Sequence, residues 1–287
     1  MVIVKIIGGL GNQMFQYAYT KYLQQKGHEV KLDIDGFETY RLHGGYQLDG
    51  YAIDLGCSTK SENNKFCNNA VCYKILEKIG IRNPKIIKEK NLLFDKKLLN
   101  IENDKYIDGY FQCEQYFVEI KDILLKQFIM TQDKSNYTID IEKQIISSKR
   151  SCSLHVRRGD YLSSQKALKV HGLCDMDYYK KAINILNDKF SDMTYFVFSD
   201  EMAWVKENLK IENAIYVDAQ EERMPHEDIY LMSVCNHNII ANSSFSWWSA
   251  WLNQNEEKIV IAPNRWFADD RMQEQAKDII PQSWVKI

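Results

Sequence analysis

From residue 151 onward, short apolar runs recur at about 151–157, 194–199, 214–217, 238–241 and 258–261, separated by helical patterns such as "DYYKKAINILNDKF" and "EMAWVKENL". Such alternation implies a parallel, doubly wound sheet, because parallel neighbours need a crossover helix between them. Ligands in such sheets gather at the carboxyl ends of the strands, and the polar residues of this half fall there. The run "SCSLHVRRGDY" alternates Cys152, Leu154 and Val156 with Ser153, His155 and Arg157, then closes on Arg158, Gly159 and Asp160. "TYFVF" ends in Ser199 and Asp200, and "NII" runs into Asn242, Ser243, Ser244 and Phe245 before the apolar "WWSAWL".

Two adjacent guanidiniums at a strand end suit a doubly charged, oxygen-rich anion such as a pyrophosphate, since arginine offers planar bidentate donors and keeps its proton. The pair equally suits a structural salt bridge, with Asp160 as first partner. Ser243 and Ser244 stand where a helix begins; they either cap it or, with its free amides, hold a phosphate. Asp200 either accepts hydrogen bonds from a base or sugar or caps the next helix. Phe245 is the aromatic residue placed to meet a ligand, whereas Trp247, Trp248 and Trp251 read as core. Three strand ends that converge with phosphate-suited and base-suited groups point to a nucleotide site.

The N-terminus reads as one β-α-β unit: "VIVKII", the loop "GGLGN", the helix "QMFQYAYTKYLQQKG" and the strand "HEVKLDID". Gly8, Gly9 and Gly11 permit a tight turn and close backbone approach, and Asn12 and Gln13 add amides above it. The loop lacks the third glycine of a dinucleotide fingerprint, and no acidic ribose partner follows at the expected spacing, which argues against an NAD enzyme. Residues 36–104 lose the rhythm and read as loops shaping a variable surface. "KYIDGYFQ" then reads as a strand, "CEQYFVEIKDILLKQF" as an amphipathic helix, and the polar "TQDKSNYTID" as a boundary region. The expected division is an N-terminal α/β domain over 1–150 and a doubly wound domain over 151–287.

With 37 basic and 39 acidic residues the chain carries a formal charge of −2, so anion binding must come from a local cluster and a nucleic-acid partner is not expected. No stretch of eighteen apolar residues occurs, and the N-terminal apolar run is too short for a signal peptide, so a cytoplasmic chain without a membrane span is expected. The 7 cysteines are scattered without CxxC spacing, which suits buried or free thiols in a reducing compartment.

Taken together, "GGLGNQMFQYA", "GYFQCEQYF", "HVRRGDY", "LCDMDYYKKAI", "FVFSD", "PHEDIYLMSVCNHNIIANSSFSWWSAWLN" and "IAPNRWF" closely resemble glycosyltransferase family 11, the α-1,2-fucosyltransferases. The motifs occur in the family's order over nearly the whole chain, residues 36–104 carrying little of the resemblance. It implies a GT-B type α/β architecture: two Rossmann-like domains facing across a cleft, the N-terminal one on the acceptor side and the C-terminal one holding GDP-fucose. Arg158 would then donate to the β-phosphate, with His155, Arg157 and Asp160 around it. Ser243, Ser244 and Phe245 would form the phosphate-side and base-side loop, flanked by Ser199 and Asn242. Asp200 would read guanine, and Gly9, Gly11, Asn12 and Gln13 would face the donor. Two departures are visible: Glu201 stands where a second aspartate is usual, and Ser249 where glycine commonly follows the paired tryptophans.

The implied reaction is inverting transfer of fucose from GDP-fucose to the 2-hydroxyl of a terminal β-galactoside, with the arginines stabilising the departing diphosphate in place of a metal. Arg158, His155 and Asp160 are the catalytic candidates; Asp35, His155 and Asp160 are the candidates for taking the acceptor proton, the alternative being a largely dissociative reaction that needs no strong base. Asp33-Ile34-Asp35 and Asp175-Met176-Asp177 satisfy the D-x-D pattern by which metal-dependent transferases bind a divalent ion, so Asp33 and Asp35 define a rival, metal-dependent reading. Chance matches are common among 39 acidic residues, and no metal and no cofactor are expected. The expected partners are GDP-fucose and a galactose-terminated glycan, with peripheral association to lipid-linked acceptors. A non-catalytic carbohydrate-binding protein, served by 17 tyrosines and 6 tryptophans as stacking surfaces, would need no pyrophosphate site.

Overall fold

The apolar run at the N-terminus becomes strand β1 (Val2–Lys5), which lies inside a four-stranded parallel sheet between β2 (Val30–Asp33) and β4 (Lys105–Asp108), with β3 (Ile86–Lys88) beyond β4. This computed structural model describes residues 1–40, 44–67, 83–159, 165–218, 220 and 224–287. They divide into two units, Met1–Thr131 and Gln132–Ile287.

In the first unit, helix α1 (Leu10–Gln25) is buried almost all round from Leu10 to Leu23. Its buried polar side chains therefore need partners, and they have them: Thr20 Oγ1 donates to the Gln16 carbonyl at 2.7 Å and Lys21 Nζ meets Asp54 at 2.7 Å. Helix α2 (Lys60–Cys67) precedes β3, within the segment read from sequence as loop. The helix expected over 113–128 forms only at its end, as α3 (Lys121–Gln127), after two single 3₁₀ turns. Consecutive Tyr116 and Phe117 are both buried, against Tyr19 and Phe15, and the chain leaves helical periodicity to bury two neighbours at once.

The second unit is a six-stranded parallel sheet in the order β10-β9-β8-β5-β6-β7, with β5 (Arg150–Val156), β6 (Met193–Ser199), β7 (Ala214–Tyr216), β8 (His237–Ile239), β9 (Val260–Ala262) and β10 (Val285–Lys286). From β5 the chain moves outward through β6 to β7, then returns to place β8 on the other side. The strand order therefore reverses between β5 and β8, where such sheets bind ligands. On one face Cys152, Leu154, Val156, Tyr195 and Val197 pack against Tyr178, Tyr179, Ala182 and Leu186 of α6 (Met176–Lys189) and Val205 of α7 (Met202–Asn208). On the other, Phe196 and Phe198 pack against Ile141 and Ile145 of α4 (Asn136–Ser147) and Leu231 and Met232 of α8 (Pro225–Ser233).

Helix α4 thus shares its core with β6. That is why the division falls at Thr131, within the polar boundary segment, and not at 150. The polar residues of β5 are buried as well. Ser153 Oγ accepts from Asn238 Nδ2 at 2.7 Å, and Asn253 Nδ2 donates to Asn238 Oδ1 at 2.8 Å, so the alternation in "SCSLHV" separates two buried faces and does not separate core from ligand.

Candidate active site

Past Val156 the β5 chain turns through Arg157, Arg158 and Gly159, and the carboxylate of Asp200, just past β6, fastens this turn. Asp200 Oδ1 accepts the Arg158 backbone N–H at 2.9 Å, Oδ2 accepts that of Gly159 at 3.0 Å, and Arg157 Nη1 approaches Oδ2 at 3.2 Å. A Cβ at 159 would stand 3.1 Å from that oxygen, so the glycine allows the approach. Both oxygens of Asp200 are thereby engaged with the arginine turn, so the carboxylate expected to read guanine here holds the backbone of the turn. Ser199 likewise turns inward, its Oγ accepting from Glu201 N at 3.0 Å.

The Arg158 guanidinium lies over the Trp204 ring of α7 at 3.5 Å, and its buried Nε faces Glu201 Oε2 at 3.5 Å without a hydrogen bond. Arg158 is therefore held on the β6–α7 side, by a tryptophan and by the glutamate that replaces the usual aspartate. Sequence reasoning missed Trp204 because a lone tryptophan in a short helix reads as core. Its signal was its place four residues after Asp200, in the first turn of the helix. Asp160 lies outside the described residues.

His155, on β5, is 4% exposed, and its ring packs on Phe245 with centroids 5.8 Å apart. Burial, reinforced by the Arg157 charge, holds its pKa down at about 3, so the imidazole is neutral and a poor proton acceptor, which weakens its candidacy as base. Its Nδ1 has no hydrogen-bond partner among the described residues. Ser243 is the N-cap of α9 (Ser244–Leu252): its Oγ accepts from Phe245 N at 3.3 Å, the capping alternative of the two open in sequence. Ser244 and Phe245 in its first turn remain partly exposed. The Asn242 side chain instead ties neighbouring chain together, donating to the His171 carbonyl at the end of α5 (Gln165–His171) at 3.0 Å and to the Trp266 carbonyl at 3.1 Å. It holds the fold around the site.

In the first unit Gly9 is the N-cap of α1, with no side chain capping that end. Gly8, at φ +87°, makes the turn, and a Cβ there would stand 2.7 Å from Asn12 Nδ2. Gly11 is buried. Gln13 is turned inward: Nε2 donates to the Gly8 and Gly45 carbonyls, both at 2.8 Å, and Oε1 accepts from Gln47 N at 2.9 Å. Asn12 Oδ1 accepts from Gln112 Nε2 at 2.7 Å. The glycine loop thus presents backbone more than amide side chains.

The rival metal reading fits these residues poorly. Asp33 is buried, with Oδ2 accepting from Tyr106 Oη at 2.5 Å and Oδ1 from Asp35 N at 2.9 Å, while Asp35 Oδ2 accepts from Asn63 at 2.9 Å. Asp175 is the N-cap of α6 and accepts from Tyr178 N at 2.7 Å. Among the described residues no group of three or more His, Cys, Asp or Glu side chains is placed to hold a metal ion, and no helix is long and apolar enough to cross a membrane.

A parallel, doubly wound sheet of this order, with an arginine turn and a helix N-terminus flanking its switch point, is the architecture of a domain of a GT-B type glycosyltransferase. The model of glycosyl transferase family 11 matches residues 1–287, and the chain belongs to that family. It is 37% identical to an Escherichia coli alpha-1,2-colitosyltransferase, covering 100% of this chain and 99% of that one. It is 33% identical to the O-antigen biosynthesis glycosyltransferase WbnK of Escherichia coli, covering 98% of each. A rat galactoside alpha-(1,2)-fucosyltransferase 2 matches over 101 residues, at 33% identity and 34% of this chain against 28% of that one. In fold, the chain is similar to the crystal structure of fucosyltransferase NodZ from Bradyrhizobium, with TM-score 0.51, 11% identity and coverage of 86% of this chain and 92% of that one.

Proposed function

We propose that this chain transfers L-fucose, or its 3-deoxy relative colitose, from the GDP-activated sugar to the 2-hydroxyl of a terminal β-galactoside, with inversion and without a divalent cation. The observation that carries this reading is the α-1,2 linkage shared by the names of a full-length relative and of the more distant galactoside fucosyltransferases. The O-antigen glycosyltransferase among the relatives supports an acceptor that is a precursor of a surface glycan. In this reading the second unit holds the donor and the first the acceptor.

As the bond from sugar C1 to the β-phosphate breaks, negative charge grows on the departing diphosphate and the sugar becomes oxocarbenium-like. Arg158 is the group for that charge, with Arg157, the Ser244 and Phe245 segment and the amides at the α9 N-terminus around it. Asp200 positions the turn by holding its backbone. The low proton affinity of His155 leaves it a packing and orienting role beside Phe245.

The test incubates the protein with GDP-fucose or GDP-colitose and lactose, N-acetyllactosamine or galactosyl-β-1,3-N-acetylglucosamine, with the product linkage read by NMR. An α-1,2 product from one donor, formed equally with EDTA, is expected. Transfer from neither donor, a different linkage, or activity lost to EDTA and restored by manganese would overturn the corresponding part.

A further inference from the structure

At the carboxyl edge of the first sheet one short turn is held far more firmly than a surface connection requires. The strand expected to run through residue 112 stops at Asp108, and the chain turns through Gly109, Tyr110 and Phe111. Phe111 has φ +53°, a left-handed backbone that costs a bulky residue on the order of 1–3 kcal/mol and persists only where its surroundings impose it. Here they do. The Phe111 ring is fully buried, stacked on Tyr19 with centroids 4.0 Å apart and edge-on to Tyr116.

The backbone is pinned by two further side chains. Glu89, just past β3, accepts the N–H of Tyr110 at 2.6 Å through Oε2 and that of Phe111 at 3.1 Å through Oε1. Gln16 of α1 donates to the Gly109 carbonyl at 3.0 Å. A Cβ at 109 would stand 2.6 Å from the Glu89 Cβ, so only glycine lets strand β4 and Glu89 meet. What this strained turn displays is Tyr110. Its side chain is 38% exposed, and its hydroxyl makes no hydrogen bond among the described residues. Beside it Asp108 and Lys5, both about one-third exposed, form a 3.4 Å pair at the ends of β4 and β1.

We propose that Tyr110 is a stacking platform for a pyranose ring of the glycan acceptor, with Asp108 and Lys5 placed to meet that ring's hydroxyls. This rests on the reading of the first unit as the acceptor side. The chemistry favours a sugar. A galactose ring has one continuous C–H face that packs on an aromatic ring, and a diol that an exposed carboxylate and ammonium can bind. A rigid turn presents that ring with little ordering cost. In the sequence Tyr110 reads only as part of the strand "KYIDGYFQ" and the motif "GYFQCEQYF", and Glu89 as part of the loops over 36–104.

The test uses the full chain with methyl β-lactoside as probe and the variants Tyr110→Ala and Tyr110→Phe. In saturation-transfer NMR the wild type is expected to saturate the galactose ring protons; Tyr110→Ala loses most of that signal, and Tyr110→Phe, which keeps the ring, retains it. In turnover, Tyr110→Ala raises the acceptor KM about tenfold while the donor KM moves by less than twofold, and Tyr110→Phe raises it far less. Transfer onto the probe with neither signal nor acceptor KM changed in Tyr110→Ala would overturn the platform and leave the proposed reaction standing. Absence of transfer from either donor, with a Tyr110-dependent galactose signal, would overturn the reaction and uphold the platform. No galactose signal in the wild type overturns the platform.

Discussion

Arg158 combines two properties that lysine would not reproduce: a planar face that lies on Trp204 and a fork of donors for phosphate oxygens. If it acts on charge developing at the transition state, Arg158→Ala lowers kcat by roughly 10²-fold or more and weakens GDP binding less, because Arg157 and the α9 amides share the ground-state contacts. Arg158→Lys should be nearly as slow. The lost stack costs about 1–2 kcal/mol, a small fall in melting temperature; a large fall with normal turnover per folded molecule would mark the pair as structural. Asp200→Asn probes the other half of the turn. An amide keeps one acceptor and sets an N–H against the second backbone donor, so about 2–3 kcal/mol should be lost in chemical denaturation while the preference for GDP over ADP is kept. Unchanged stability with lost base preference would instead mark Asp200 as the guanine reader. The arginine pair was legible as a charged cluster suited to an anion or to a salt bridge, because two adjacent guanidiniums end an apolar strand. Its true partners were not, since Asp200, Glu201 and Trp204 lie on another strand and helix, and only the β5–β6 register brings them together.

Among the elements, α9 joins core and site: its tryptophans are buried and its first turn borders the switch point. Removing the Ser243 cap separates its two possible roles. Ser243→Ala should cost about 1 kcal/mol of stability and Ser243→Gly only a few tenths, as read by denaturant titration. If the hydroxyl only caps, GDP affinity in the two variants follows that order; equal losses of affinity would instead indicate a direct phosphate contact. The strands flanking the site were legible because parallel strands buried on both faces become unbroken apolar runs, as in "TYFVF". Strands β3 and β10 were not, with 3 and 2 residues carrying no readable period. The stretch 113–128 misled because its apolar spacing suits a helix, while the space available takes Tyr116 and Phe117 together.

At the scale of the whole chain, the two units should respond to pH in opposite directions, through one buried group each. In the first, burial raises Glu89 from 4.5 to about 7, against the pull of the Tyr110 and Phe111 N–H groups and with a small push from Asp108. Its folded form holds a proton that the unfolded chain would release, so this stabilisation is full below about pH 4.5 and is lost as pH rises through 7. In the second, His155 is lowered from 6.5 to about 3, so its contribution is full above 6.5 and is lost as pH falls through 3. Between pH 4.5 and 6.5 the first unit therefore weakens with rising pH while the second strengthens, each by on the order of 2 kcal/mol and Glu89 by less because it is partly exposed. Hydrogen exchange of peptides spanning β3–β4 and β5–β6, corrected for intrinsic rates, should show protection crossing in this window. Glu89→Gln should flatten only the first slope and His155→Gln only the second. Slopes of the same sign in both units, or slopes that survive their own variants, would mean that other titrating groups dominate.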